Sequence, residues 1–242
     1  MALYLDHLTS WVDSLESVAG QWEDRGFQVS SIKDFGDWRG FTVFFRDGFY
    51  FEFLQFKQEA GDKDWVKDWK MFLKDFKGAY DSITFASTDL EADCPKLKNY
   101  YSSPVVGTVL QTYGTDKTSG WLAFSFEDES DYLERSKHLY GINLGVLQYV
   151  SKGKKFIRSC CHGNEEKWKK HSADSYQLTV HQNGIETKND VKIRVSPDLR
   201  NRWHAFLVRG EMKQAGNTFV DFTGRKISIV GDSSVNITKI EI

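Results

Sequence analysis

Residues 3–29, LYLDHLTSWVDSLESVAGQWEDRGFQV, and residues 40–56, GFTVFFRDGFYFEFLQF, decide the fold. Over 3–12 the period of two predicts a strand with Leu3, Leu5, His7, Thr9 and Trp11 on one face. Asp13 with Glu16 three residues on is a capping-box signal, and Leu15, Val18, Ala19 and Trp22 give the helix after it an apolar stripe. Gly26 stands where a helix terminator belongs. Strands are expected at 27–32, 40–45 and 49–56, the last two joined by a turn at Asp47-Gly48. The unit reads β-α-β-β-β.

Beyond it, Trp65, Trp69, Phe72 and Phe76 recur at helical spacing and predict a helix over 64–76 with an aromatic inner stripe. The same unit then starts again. DSITFASTDLE (81–91) follows DHLTSWVDSLE (6–16) at an offset of 75, pairing Asp6 with Asp81, Thr9 with Thr84, Leu15 with Leu90 and Glu16 with Glu91. GFTVFFRDGFYFE (40–52) resembles GWLAFSFEDESDYLE (120–134), which makes Glu134 the repeat partner of Glu52. A helix over 90–101 and a strand over 105–113 would fill the interval. The last hundred residues hold many short strand-like runs and one helix, 197–208, either as further partial modules or as a β-sandwich-like layer. The expected organisation is a first module at 1–57, a connecting amphipathic helix at 58–78, a diverged second module at 79–135 and a strand-rich part at 136–242 completing one domain.

Composition narrows the function classes. At 40% hydrophobic and 27% charged residues the chain is an ordinary globular protein, and its 15% aromatics must supply much of the core as well as any pocket wall. A net charge of −2 with no basic run disfavours nucleic acid, which needs a face that neutralises phosphates. No stretch reaches the roughly 20 apolar residues of a membrane span, and Met1 to Thr9 lacks the apolar core of a signal peptide. Three cysteines make no disulfide framework, so a reducing, cytoplasmic setting is expected. Cys160-Cys161-His162 matches no standard zinc spacing and reads as a strand end. Neither a phosphate-binding glycine loop nor a G-x-S-x-G elbow is present.

With Asp6-His7 on the first strand, Asp13 to Leu15 at the helix start and Tyr50-x-Glu52 on the fourth strand, the opening module resembles the glyoxalase-like, or vicinal oxygen chelate, superfamily of glyoxalases, bleomycin-resistance proteins and extradiol dioxygenases. That resemblance implies an α+β fold in which paired β-α-β-β-β modules curl mixed sheets around a cupped pocket. It also implies a divalent metal (Fe, Mn, Ni or Zn) chelating two neighbouring oxygens of a small substrate, with His7 and Glu52 as ligands. Glu134 would be a third ligand or a general base, Trp11, Tyr50 and Trp121 would wall the pocket, and His171 and His181 are later candidates for binding. The chain departs from the superfamily's pattern at Ser82, where the second module would supply a His, and at Asp37-Trp38-Arg39, which contains none.

Three functions are compatible with these residues. The first is a metal-dependent lyase, isomerase or dioxygenase acting on a small oxygenated or electrophilic metabolite. The second is a non-catalytic protein that binds or sequesters a small molecule in the same cup. The third is a protein-interaction or regulatory module, dimeric with a second copy. Buried His–Glu hydrogen bonding that merely fixes a core is the alternative role for His7 and Glu52.

Overall fold

A computed structural model describes residues 3–242 apart from 28, 46–48, 77, 88–89, 98–102, 106–119, 126–131, 151–189 and 222–223. The first unit is β1 (Tyr4–Trp11), α1 (Leu15–Asp24), β2 (Lys33–Asp34), β3 (Trp38–Phe44) and β4 (Tyr50–Phe56). β4 returns parallel to β1, and β3 and β2 continue antiparallel outward. One strand differs from expectation: among the described residues of 27–32 only Val29 forms a bridge, to Val43, and β2 forms later.

Ser14, not Asp13, caps α1. Its side-chain oxygen accepts from the Ser17 N–H at 3.2 Å, while the Asp13 carbonyl accepts from the Gln55 amide. Ser14→Ala is therefore expected to cost about 1 kcal/mol in denaturant titration, and Asp13→Ala clearly less; equal losses would restore Asp13 as the cap. Gly26, at φ +82°, follows the helix in the left-handed conformation that suits a residue without Cβ.

The second unit repeats this arrangement from β5 (Ser82–Ala86), with its own helix and three further strands. The connecting helix is α2 (Asp64–Leu73), extended by a 3-10 turn at Lys74–Phe76. After β5 come α3 (Leu90–Leu97), β6 (Ser103–Val105), β7 (Gly120–Ser125), α4 (Tyr132–Tyr140) and β8 (Asn143–Val150). β8 returns parallel to β5, as β4 does to β1, with β7 and β6 outside it. The fourth strand is thus β8, and the unit runs on past residue 135 because α4 is inserted between its third and fourth strands. β1 and β5 pair antiparallel and join both units into one eight-stranded sheet, β2-β3-β4-β1-β5-β8-β7-β6.

Residues 190–241 form a third unit of the same kind. β9 (Asp190–Val195), α5 (Pro197–Arg209), β10 (Lys213–Ala215), β11 (Thr218–Val220) and β12 (Lys226–Gly231) follow the β-α-β-β-β order, with β12 parallel to β9. β13 (Lys239–Glu241) pairs antiparallel on the free side of β9, the place β5 takes beside β1. This five-stranded sheet is packed on α5, whose Phe206 meets Phe85 of β5 at 5.3 Å between ring centroids. One apolar cluster runs through all three units, from Leu3 and Phe51 through Phe85 and Tyr140 to Ile193 and Trp203.

In β1 the register slips between Leu5, opposite Phe85, and His7, opposite Thr84. The single face expected for Leu3 to Trp11 is therefore broken: a bulge reverses the alternation, leaving Leu3, Leu5 and Leu8 in the core while His7, Thr9 and Trp11 share the other face. On α2, Trp65 is the outlying member of the aromatic stripe, more than a third exposed, whereas Phe72 and Phe76 are buried.

Candidate functional site

The parallel β1–β4 register sets His7 opposite Tyr50, Thr9 opposite Glu52 and Trp11 opposite Leu54. Because side chains alternate, these six occupy one face, opposite the core face of Leu8, Phe51 and Phe53. The contacts agree with that face. The His7 and Tyr50 rings stack at 4.5 Å, Thr9 Oγ1 donates to Glu52 Oε2 at 3.2 Å, and Trp11 stacks on Phe56 at 3.8 Å.

His7 is buried, and its Nδ1 lies 2.8 Å from Asp6 Oδ2. With the Nδ1 proton donated to that carboxylate, Nε2 is the atom left to face a ligand. The second unit carries the same device: Ser82 Oγ donates to Asp81 Oδ1 at 2.8 Å, so in each unit an aspartate holds the side chain that follows it. Asn143 Nδ2 in turn donates to Ser82 Oγ at 3.0 Å, and the Trp11 N–H donates to Asp81 Oδ2 at 2.8 Å. Asp81 is almost fully buried, and burial pushes its carboxyl up to about 7; the hydrogen bonds from Trp11 and Ser82 pull the other way, and the charge of Glu52 adds to the rise.

The register also identifies the internal counterparts of the metal-ligand candidates. With the offset of 75, His7 corresponds to Ser82 and Thr9 to Thr84. Glu52 lies opposite Thr9, and the residue opposite Thr84 is Gly145. The counterpart of Glu52 is thus Gly145. Glu134, expected to fill that role, lies exposed on α4, because the repeat alignment at 120–134 ran from β7 into the inserted helix. A Cβ at Gly145 would sit 3.1 Å from Thr84 Oγ1, a tight approach in which the Thr84 side chain would have to give by a few tenths of an ångström.

The remaining candidates divide. Trp11 and Tyr50 are on the cup face. Trp121 lies in β7 opposite Tyr149, its side chain outside the described residues. His171, His181, Cys160, Cys161 and the turn at Asp47-Gly48 also lie outside the described residues.

The described residues do not by themselves complete a divalent metal site. One imidazole nitrogen and one carboxylate face the cup, and across the β1–β5 junction their counterparts are a hydroxyl and a glycine. Among the described residues no three His, Cys, Asp or Glu side chains come together as a metal-binding group, whereas a catalytic zinc site of the usual kind uses three protein ligands.

At the C-terminal ends of β1 and β4 the same face opens into a groove of about 610 Å³, lined by Trp11, Gln55, Phe56, Lys70, Phe76 and Asp81 among others. Trp69 of α2 meets Trp11 at 5.6 Å between ring centroids, tilted by 43°. Sequence reasoning did not single out Lys70 or Asp81 as functional. Asp81 was visible as the partner of Asp6 in the repeat, but its burial was not.

No protein-family model matches the chain, and no curated protein matches it in sequence. Solved structures do match. A hypothetical protein from Staphylococcus aureus aligns at a TM-score of 0.58 and 13% identity, over 99% of this chain and 88% of that one. A mutant of 4-hydroxymandelate synthase from Streptomyces coelicolor aligns at 0.51 and 9% identity, over 94% of this chain and 62% of that one. Methylmalonyl-CoA epimerase from the same organism, at 0.41, 16% identity and 64% of this chain against 99% of that one, is too distant to argue from. No helix among the described residues is long and apolar enough to cross a membrane. The likeness is one of fold, and the fold of this chain is the glyoxalase-like one: repeated β-α-β-β-β modules whose mixed sheet presents one face as a cup.

Proposed function

We propose that this protein binds a small molecule on the cup face of its first two modules, and that it does so without a metal centre. The observation that carries this reading is the pair Ser82 and Gly145, standing where a second histidine and a second carboxylate would complete a metal site. An aromatic-walled groove that opens from the same face supports it, since small-molecule sites combine apolar walls with a few placed polar groups. Glu52 is engaged by the Thr9 hydroxyl, as expected of a group that orients a ligand.

A metal-dependent enzyme is the second reading, and one observation favours it. An aspartate on Nδ1 of His7 is the support that metal-ligating histidines commonly have. That reading requires ligands beyond those brought together here.

Elemental analysis of untagged protein beside His7→Ala separates the two. The expected result is far less than stoichiometric Fe, Mn, Ni or Zn in both, even after incubation with each ion, together with a ligand or probe held at one site by native mass spectrometry. Stoichiometric metal in the parent that is lost in His7→Ala would overturn the metal-free reading in favour of the enzyme.

A further inference from the structure

The groove beside Trp11 combines apolar and charged lining. Its floor is apolar, from Trp11, Phe56, Leu73 and Phe76, and its volume of about 610 Å³ suits a molecule of one or two rings. Lysines stand along it, and they differ in their partners. Lys57 is taken by Asp34 at 2.5 Å. Lys67, on α2 but outside the groove, is taken by Asp64 at 3.0 Å. Lys70 and Lys74 line the groove one helical turn apart and make no ion pair with any described residue. The carboxylate next to Lys74 in sequence, Asp75, is bridged to Lys137 at 2.5 Å. Lys70 Nζ stands 5.9 Å from the Phe56 ring, so a cation lies against the aromatic floor.

Two carboxylates, Asp13 and Asp81, also line the groove. Asp13 is exposed on the rim, where solvent screens it. Asp81, at the inner end, already accepts from Trp11 and Ser82 through its two oxygens, which leaves it poorly placed to hold a ligand cation.

We propose that the groove is a binding site for small planar anions, an aromatic body bearing one carboxylate, with the body on Trp11 and Phe56 and the carboxylate between Lys70 and Lys74. This rests on the small-molecule reading above and adds the class of ligand.

Three probes with one ring system test it by tryptophan fluorescence and calorimetry: naphthoate, naphthylmethylammonium and naphthalenemethanol. Naphthoate is expected to bind at one site, at least about tenfold more tightly than the ammonium, and a K70E/K74E variant should lose about tenfold or more in naphthoate affinity. K67E, which changes a lysine outside the groove, should leave binding unchanged. All of these substitutions are at exposed positions, so folding is checked by the unfolding midpoint of each variant. Equal affinity for the three probes, or naphthoate binding indifferent to K70E/K74E, overturns the anion site and leaves the small-molecule reading standing. No binding of any probe to the parent overturns the anion site, and absence of any retained ligand in native mass spectra then sinks the broader reading as well.

Discussion

Asp81→Asn is expected to be more stable than the parent at about pH 8, by on the order of 4 kcal/mol, and to lose that advantage steadily as the pH falls toward 4. Burial is the cause. The Asp81 carboxyl lies in the interior between β1 and the start of β5, and its ordinary value of 3.8 is pushed up to about 7. A carboxyl whose folded value exceeds its unfolded value stabilises the fold fully at pH below the unfolded value. That contribution is lost as the pH rises through the folded value. The window is therefore about pH 4 to 7, opposite in sign to the usual carboxylate held by a salt bridge.

Asparagine keeps an oxygen to accept from the Trp11 N–H and removes the charge. It also presents an amide to Ser82, whose hydroxyl must then turn, and that adds an offset independent of pH. The slope of the difference is the diagnostic quantity. Denaturant midpoints of the two proteins at several pH values between 4 and 9 measure it, and the other titrating groups cancel in the comparison. A difference that stays constant with pH would mean that Asp81 does not titrate in this range.

The same residue shows what could be read in advance. That Asp6 and Asp81 are partners was legible, because the repeat preserves an aspartate immediately before the residue it holds. The consequences were not. His7 and Ser82 receive the same support but differ in chemistry, and no periodicity reveals that one unit keeps an imidazole where the other keeps a hydroxyl hydrogen-bonded to Asn143. The first module was legible because its strands are local and its helix has a clear apolar stripe. Its bulge between Leu5 and His7 was hidden, since β1 is buried along both faces and alternation carries little signal there.

The pairing of Glu134 with Glu52 breaks down for a related reason. A match that continues from β7 into α4 looks like sequence similarity until the fourth strand proves to be β8. The correct counterpart of Glu52, Gly145, offers no side chain to recognise. The sequence leaves a further module and a β-sandwich-like layer undecided in the C-terminal part, because β10, β11 and β13, of three residues each, give too little pattern to show a repeated topology.

The shared core gives the second large effect. Trp203 of α5 is fully buried, and its Nε1 donates at 3.0 Å to the carbonyl of Tyr140, which the Thr238 hydroxyl also reaches. Its ring meets Tyr140 at 5.5 Å and Phe206 at 6.2 Å, while Phe206 reaches Phe85 of β5. One indole thus ties the third module to the inserted helix of the second. Trp203→Ala should cost about 3–5 kcal/mol, from lost burial and the cavity left behind.

The shape of the transition matters more than its midpoint. Because the apolar cluster is continuous from Leu3 to Ile229, the loss should appear in the whole fold. Far-ultraviolet circular dichroism and the fluorescence of naphthoate in the groove beside Trp11 are expected to report one coincident transition at a lower denaturant concentration. If the third module were an independent domain, Trp203→Ala would melt it early and leave the groove signal at the parent's midpoint. Coincidence would instead mean that the cup inherits its rigidity from residues far from any ligand, so that substitutions in α5 weaken ligand binding without touching it.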